Sequence, residues 1–391
     1  MLREFTVDNY KSLINVTFKP HAMNLLLGLN NAGKTTLCQA LKFASATTQW
    51  SLDQCGDYVS GGRVGITNFF FSKPTVDFTI KADIPFQGQT LVFDYRLSIS
   101  APSKPTPNPI LEVESEKLSV TGGKFVDVTL LENTRRGVKL LHEGDFVNFN
   151  KLNQVQTTAP RDVTMLNRLY DLENNARANA FKKYLSSWQY YSLSADAVRG
   201  STHKPNEATL NSDGSNLASV IDGLKTVDER SYRRLLEYVR IIEPSIDVIN
   251  FQVAAENSVF MFFEDAAGHS LPSSSASAGT LRYLALVYVL LVQPSLKLDP
   301  LIIIEEPENG IYVGYFKDVV ALAGQGLGKP QIIFTTHSPY FIDFFDQRLD
   351  SLFFIRRTKE NSTLSQPDAA KVKARLAEFP LGEQHYREML G

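Results

Sequence analysis

Hydrophobic and polar residues alternate at the start of the chain, over residues 5–10 and again over residues 14–18. This period of two is typical of half-buried strands. A mostly apolar run at residues 23–27 ends at Gly28 and predicts a fully buried strand. A helix is predicted to follow, from Lys34 to about residue 44. The chain therefore opens with three strands, a glycine-containing turn and a helix.

Residues from about 60 to 150 are rich in β-branched and aromatic side chains separated by turn residues, which predicts antiparallel strands. The clearest candidate segments are residues 76–80, 91–95 and 117–120, with a proline-containing loop at 103–109 and a hairpin turn at 122–123.

From about residue 160 to 240, leucine and aromatic residues recur at helical spacing, and the polar stretch 195–215 predicts a mobile connection. Two strands are predicted at 248–254 and 259–264. After them the pattern alternates strand and helix, which is typical of a parallel sheet. We therefore expect one domain over residues 1–391, with an N-terminal lobe at 1–150, a helical insertion at 151–245 and a C-terminal lobe at 246–391.

Composition restricts the class of protein without naming it. The 391 residues are 43% hydrophobic and 21% charged, with a net charge of −2, so the chain is globular and its whole surface is not a nucleic-acid binder. Two cysteines, Cys38 and Cys55, exclude a disulfide framework and a cysteine-based zinc site. The N-terminus has no signal-peptide pattern, and the longest apolar stretch, 281–292, is too short to span a bilayer. We expect a soluble cytoplasmic protein without membrane association.

The turn between the buried strand and the first helix matches G-x-x-x-x-G-K-[ST] in full. Glycines allow a tight turn whose N–H groups face a phosphate chain, and the helix N-terminus adds a partial positive charge. The lysine would reach the β- and γ-phosphates, and the first threonine would bind Mg²⁺. The candidate phosphate-binding residues are Gly28, Asn30, Asn31, Ala32, Gly33, Lys34, Thr35 and Thr36.

Two later apolar runs also end in polar residues. Residues 301–304 run into Glu305 and Glu306, and residues 331–334 run into a turn that contains His337. Ligands of open α/β sheets bind at the carboxyl edge of the strands. We assign Glu305 to a magnesium ion and Glu306 to polarisation of the attacking water. Taken alone, an acidic end of a core strand or a structural histidine is the competing interpretation.

A serine-rich segment with Ser277 and Gly279 precedes an apolar helix that begins near residue 281. Hydroxyl groups and a glycine at a helix N-terminus can form a second phosphate-binding surface. The same pattern also describes an ordinary helix cap.

The order of these motifs resembles that of ABC-type ATPases. The opening Phe-Thr-Val-Asp-Asn-Tyr-Lys-Ser-Leu at residues 5–13, together with Glu-Glu-Pro-Glu-Asn-Gly and Thr-Thr-His-Ser-Pro, is similar to the SMC-, RecF- and OLD-like group. The resemblance covers residues 1–45 and 245–391. It implies an α/β P-loop NTPase fold, an ABC ATPase head with a mixed or parallel core sheet, an antiparallel N-terminal lobe and a helical insertion.

The resemblance also implies roles. ATP and Mg²⁺ would be the ligands, residues 28–36 the Walker A loop, Glu305 the Walker B acid, Glu306 the catalytic base and His337 the switch histidine. Residues 309–312 would be the D-loop, and Ser277, Gly279 and Thr280 the signature. Lys11 is a candidate for contact with the phosphates. Gln49, Gln54 and Gln87 are alternative candidates for the Q-loop glutamine.

In proteins of this group the signature of one head contacts the γ-phosphate held by the other, which implies a homodimer or higher oligomer built around ATP. The first functional hypothesis is a switch ATPase that controls a separate effector, a nuclease or toxin, in anti-phage defence. The second is a RecF- or SMC-like ATPase that binds DNA through basic clusters near residues 135, 182, 230 and 356. A transporter subunit is the third, and the opening motif fits it poorly.

Overall fold

The computed structural model describes residues 1–59, 62–68, 70, 73–101, 109–123, 125–141, 160–169, 175–200, 208–254, 258–292, 301–325 and 330–387. The predicted proline-containing loop at 103–109 lies outside the described residues except for residue 109. Seven residues of the predicted mobile stretch, 201–207, are also outside them.

The described residues contain sixteen strands and eleven α-helices. The strands are β1 Leu2–Asp8, β2 Val16–Phe18, β3 Met23–Leu27, β4 Thr75–Phe86, β5 Gln89–Ser100, β6 Glu112–Gly122, β7 Phe125–Thr134, β8 Gly137–Leu140, β9 Gln189–Tyr191, β10 Val248–Val253, β11 Val259–Glu264, β12 Ser270–Pro272, β13 Leu301–Glu305, β14 Gln331–Thr335, β15 Leu352–Arg357 and β16 Ser362–Ser365. The helices are α1 Lys34–Ala46, α2 Leu52–Tyr58, α3 Met165–Arg168, α4 Ala176–Ser186, α5 Leu217–Val227, α6 Glu229–Ile242, α7 Ala278–Val287, α8 Phe316–Gln325, α9 Pro339–Ile342, α10 Ala369–Arg375 and α11 Leu381–Tyr386.

The chain forms two compact units, each assembled from several segments. Unit 1 contains residues 1–21, 27–188 and 353–366, and unit 2 contains residues 22–26, 189–352 and 367–391. Among the described residues, no helix is long and apolar enough to cross a membrane.

Unit 1 is built on an antiparallel sheet in the order β2-β1-β4-β5-β6-β7-β8. Its strands alternate buried and more exposed positions, which places one row of apolar side chains on the inner face. Helices α1 and α4 contribute to that core: Phe43 of α1 stacks on Phe78 at 5.7 Å, and Phe181 of α4 stacks on Phe93 at 5.5 Å. The predicted antiparallel strands are confirmed, and β7 and β8 extend the sheet beyond them.

Unit 2 contains the parallel strands in the order β3-β14-β13-β9. β3 and β14 are buried along their whole length, as the near-continuous apolar runs predicted. Because the pairing is parallel, the carboxyl ends of β3, β14 and β13 lie at one edge. Glu305 and the turn after Thr335 are at this edge, and the glycine-containing turn at Gly28 begins one residue after β3.

The lobes expected from the sequence stay a prediction, and the two compact units follow other boundaries. The boundary at residue 150 falls inside unit 1, and the region 151–245 contributes to both units. That region is also not purely helical, because β9 pairs with β13 in the parallel sheet. A strand of three residues is too short to produce a periodic pattern, so the sequence did not predict β9.

Candidate nucleotide site

The glycine-containing turn has backbone conformations that most residues other than glycine could adopt only with strain. Gly28 has φ 155°, and a Cβ there would lie 2.3 Å from the carbonyl oxygen of Ile355. Gly33 has φ 117°, and its Cβ would lie 2.7 Å from the Ser362 hydroxyl. Asn31, at φ 62°, provides another left-handed position, which asparagine tolerates better than most residues. Gly28 is therefore required by close backbone packing, and Gly33 by its left-handed conformation beside the Ser362 side chain.

Lys34 begins α1, and its side chain is almost fully buried over the turn. Its ammonium donates hydrogen bonds to the carbonyl oxygens of Gly28, at 2.7 Å, and Leu29, at 3.2 Å. Asn30 and Thr35 are exposed beside it, and Thr36 is half-buried. A cation, a helix N-terminus and an accessible hydroxyl thus lie together, which is the chemistry a magnesium-bound triphosphate requires.

Lys11 lies in the same unit, after β1, in a left-handed conformation at φ 51°. Its ammonium donates a hydrogen bond of 2.5 Å to the side-chain oxygen of Gln39 in α1. Its backbone N–H donates to the carbonyl oxygen of Ile66. Burial lowers the pKa of Lys11 to about 8. Gln39 was not predicted as a site residue, because nothing in the local pattern relates it to Lys11.

Glu305 ends β13 and has one paired and one unpaired oxygen. Its Oε2 accepts a hydrogen bond of 2.8 Å from the hydroxyl of Tyr190 in β9. Its Oε1 is buried and has no hydrogen-bond partner among the described residues. A buried carboxylate oxygen without a donor is unfavourable unless something binds it. The donor set therefore fits Mg²⁺, which prefers carboxylate oxygens.

Glu306 follows in a strained conformation at φ 46°. Its N–H donates to the Thr335 carbonyl at 3.0 Å, which holds the turn after β13 against the end of β14. One carboxylate oxygen accepts from the Asn309 amide at 2.5 Å, and the other lies 3.6 Å from Nε2 of His337. Because Glu306 and His337 follow the ends of adjacent parallel strands, the structure brings together two residues that are 31 positions apart.

Ser277 is the N-cap of α7, and its hydroxyl accepts from the N–H of Thr280 at 3.0 Å. A Cβ on Gly279 would lie 2.4 Å from the carbonyl oxygen of Gly310, so α7 packs directly on the predicted D-loop. Arg282, one turn further on, donates to the Asn309 carbonyl at 2.8 Å. The capping role of Ser277 and the packing role of Gly279 are thus visible, and their contact with a second molecule remains a prediction.

The three candidate Q-loop glutamines lie at three separate places in unit 1. Gln54 completes a capping box with Ser51 at the start of α2. Gln49 donates weakly to the Ser186 carbonyl at 3.4 Å, and Gln87 lies in the turn between β4 and β5 at φ 47°. Their assignment as a Q-loop residue stays a prediction.

Comparison with known proteins identifies the family. Residues 23–343 match the family described as "AAA domain, putative AbiEii toxin, Type IV TA system". The chain belongs to this AAA_21 family. No curated protein sequence matches the chain.

Solved structures similar to this AAA_21 chain include heads of SMC proteins. An Smc head bound to the C-terminal winged-helix domain of ScpA superposes with a TM-score of 0.53 at 12% identity, covering 94% of this chain and 98% of that one. An SMC head domain from Thermotoga maritima gives a TM-score of 0.44 at 10% identity, covering 93% of this chain and 98% of that one. An Smc head with an extended coiled coil, bound to the C-terminal domain of ScpA derived from Pyrococcus furiosus, gives 0.48 at 11% identity, covering 96% and 98%. The first of these shows the fold, so the predicted P-loop NTPase of the SMC and ABC head type is confirmed.

Proposed function

We propose that this AAA_21 protein binds Mg-ATP, hydrolyses it and uses the bound nucleotide to dimerise head to head. The observation that carries the proposal is the pair of Glu306 and His337, a carboxylate and an imidazole 3.6 Å apart at the ends of adjacent parallel strands. The glycine-containing turn that follows β3 supplies the matching phosphate-binding chemistry.

In this mechanism, Lys34 leaves the carbonyls of Gly28 and Leu29 and binds the β- and γ-phosphates. Thr35 and Glu305 would hold Mg²⁺, which neutralises phosphate charge during transfer. Glu306 accepts a proton from the attacking water. His337 donates a hydrogen bond toward the γ-phosphate, as the resemblance implies.

The proposed dimer places Ser277 and Gly279 of one molecule on the γ-phosphate held by its partner. ATP then stabilises the closed dimer because it makes fewer contacts with a single head than with the pair. Hydrolysis removes these contacts and releases the heads. Lys34→Ala should lose ATP binding. Glu306→Gln should bind ATP, hydrolyse it slowly and accumulate as a dimer.

Sizing the Glu306→Gln variant by light scattering, with and without Mg-ATP, is the decisive experiment. A doubling of mass that disappears in a Glu306→Gln, Lys34→Ala double variant supports the proposal. An unchanged mass despite measured ATP binding would refute the head-to-head mechanism.

We further propose that the ATP cycle controls a separate effector, a nuclease or toxin, in anti-phage defence. The family description names a toxin and a toxin–antitoxin system, which supports this context. The similar Smc head was solved with a domain of another protein, ScpA, an example of this fold working with a partner. Affinity capture of the Glu306→Gln variant with and without ATP, followed by identification of products of neighbouring genes, tests the idea. Capture that does not depend on ATP would contradict it.

DNA binding is the second candidate function. Several basic residues that suggested it form ion pairs instead: Arg135 with Glu114, Lys139 with Glu132, and Arg233 with Glu229. The observation in its favour is the exposed basic cluster at the turn between β15 and β16, formed by Arg356, Arg357 and Lys359. Affinity for duplex DNA that falls steeply with salt, and falls further in an Arg356→Ala, Arg357→Ala variant, would establish it.

A further inference from the structure

Glu308 lies in the turn after β13 and has no role in the mechanism above. Its Oε1 accepts two hydrogen bonds, from the hydroxyl of Thr336 at 2.5 Å and from the backbone N–H of His337 at 3.1 Å. Its Oε2 is buried and has no hydrogen-bond partner among the described residues. A carboxylate is thus held between two loops at the edge of the parallel sheet.

This position is electrostatically unfavourable for the fold itself. Burial raises the pKa of Glu308, and the nearby charge of Glu306 raises it further, although the bonds from Thr336 and His337 act in the opposite direction. Glutamine or a hydrophobic residue would fill such a site at lower cost of desolvation. A carboxylate that burial penalises, next to proposed catalytic residues, points to a functional role.

The contacts of Glu308 hold the backbone on the N-terminal side of His337, and a bond between Ser338 and Thr336 holds the other side. Thr336, which donates to Glu308, also accepts from the N–H of Ser338 at 3.0 Å. Ser338 in turn is the N-cap of α9. The segment 336–338 is therefore bonded to the glutamate at one end and to a helix at the other, and His337 lies between these two attachments.

Glu308 also belongs to the same turn as the proposed catalytic base. Its carbonyl accepts from the N–H of Ile311 at 3.1 Å, and the Glu306 carbonyl accepts from the N–H of Asn309 at 3.1 Å. Within this turn the Asn309 side chain donates to Glu306. A single turn thus orients Glu306 through Asn309, and holds the segment that carries His337 through Glu308.

We infer that Glu308 is a positioning residue, which keeps His337 aligned with Glu306 by binding the Thr336 hydroxyl and the His337 N–H. The inference rests on the proposed function.

The test compares kcat and KM of single variants with those of the double variant. Glu308→Ala should lower kcat about 10- to 100-fold with KM within about twofold, because misplacing a catalytic group by about 1 Å costs roughly that much. His337→Ala should lower kcat as well. If Glu308 acts through the histidine, the double variant should be no slower than His337→Ala alone. Glu264→Gln, a half-buried glutamate on β11 that accepts from Asn250, is the matched control and should leave kcat unchanged.

A second readout does not depend on turnover. In the wild-type protein the His337 amide should be protected from hydrogen exchange, and in Glu308→Ala it should exchange at least tenfold faster. If Glu308→Ala does not fold, Thr336→Val removes only one of the two donors and should show the same non-additivity with His337→Ala at a smaller loss of kcat.

The possible outcomes distinguish failure of the role of Glu308 from failure of the proposed function. Loss of kcat that is equal in the wild-type and His337→Ala backgrounds, or an unchanged exchange rate at His337, would overturn the role of Glu308 while leaving the ATPase intact. A wild-type protein that hydrolyses no ATP would overturn the proposed function, and the positioning role for hydrolysis with it.

Discussion

ATP binding should take up a proton from solution near pH 8 if Lys11 contacts the phosphates. Burial lowers the pKa of Lys11 to about 8, so close to this pH a large share of molecules carries a neutral amine. An adjacent triphosphate favours the ammonium form and raises the pKa again by about 1–3 units. Binding and protonation are therefore linked, and the size of the linkage follows from the pKa.

The number of protons taken up on ATP binding depends on pH. With a pKa of about 8, Lys11 is roughly 10% neutral at pH 7, 50% at pH 8 and 90% at pH 9. If the bound pKa is about two units higher, uptake should be about 0.1 proton at pH 7, 0.5 at pH 8 and 0.8 at pH 9. ATP affinity should accordingly weaken as the pH rises above 8.

The assay is titration calorimetry of the Glu306→Gln variant with ATP at saturating Mg²⁺, in buffers of different ionisation enthalpy. The slope of the apparent enthalpy against buffer enthalpy gives the number of protons exchanged. Lys11→Arg keeps a permanent charge and should reduce the slope at pH 8 to near zero while retaining affinity. Lys11→Met should also reduce the slope and bind more weakly. A slope in Lys11→Met equal to that of the parent would refute contact between Lys11 and the phosphates.

Two substitutions and one labelling experiment test the geometry of the two units. Gly28→Ala should weaken ATP binding at least tenfold, because the new Cβ would lie 2.3 Å from a β15 carbonyl oxygen; equal affinity in a fluorescent-nucleotide titration would contradict the turn described here. Tyr190→Phe should lower the free energy of unfolding by about 1–3 kcal/mol, since it leaves Glu305 without its donor. Added Mg-ATP should restore part of this loss in thermal melts, whereas a melting temperature equal to that of the wild type would argue against the bond. Cys38 and Cys55 are buried, so neither should react with a thiol reagent before unfolding, and both should react in denaturant; rapid native labelling would be inconsistent with the fold.

The sequence predicted those parts of the site that local chemistry determines. The glycine-containing turn is recognisable because Gly28 and Gly33 need conformations that side chains disfavour, and Lys34 must stand at a helix start. The acidic end of β13 and the turn that contains His337 are recognisable because an apolar run that becomes polar abruptly marks the edge of a buried parallel strand. In each case a short window contains the whole signal.

The partners of these residues were not predictable, because they come from distant positions without a pattern of their own. Tyr190 reaches Glu305 across 115 positions, from a strand of three residues. Gln39 in α1 meets Lys11 across 28 positions, and Lys11 has a left-handed backbone that its local sequence does not predict. Pairing of this kind depends on strand order and register, which follow from packing of the whole sheet rather than from local propensity.

The proposed roles of the three glutamates in the sequence Glu-Glu-Pro-Glu follow from their different environments. Three carboxylates within four positions repel one another, so each is stabilised by its own donors or by a nearby cation. Glu305 is relieved on one oxygen only, by Tyr190, which leaves the other oxygen for a cation. Glu306 remains partly exposed beside His337, where an attacking water can reach it. Glu308 turns inward to backbone and hydroxyl donors. The proposed roles of ligand, base and positioning residue can therefore fall to one residue type, because each carboxylate meets a different set of donors.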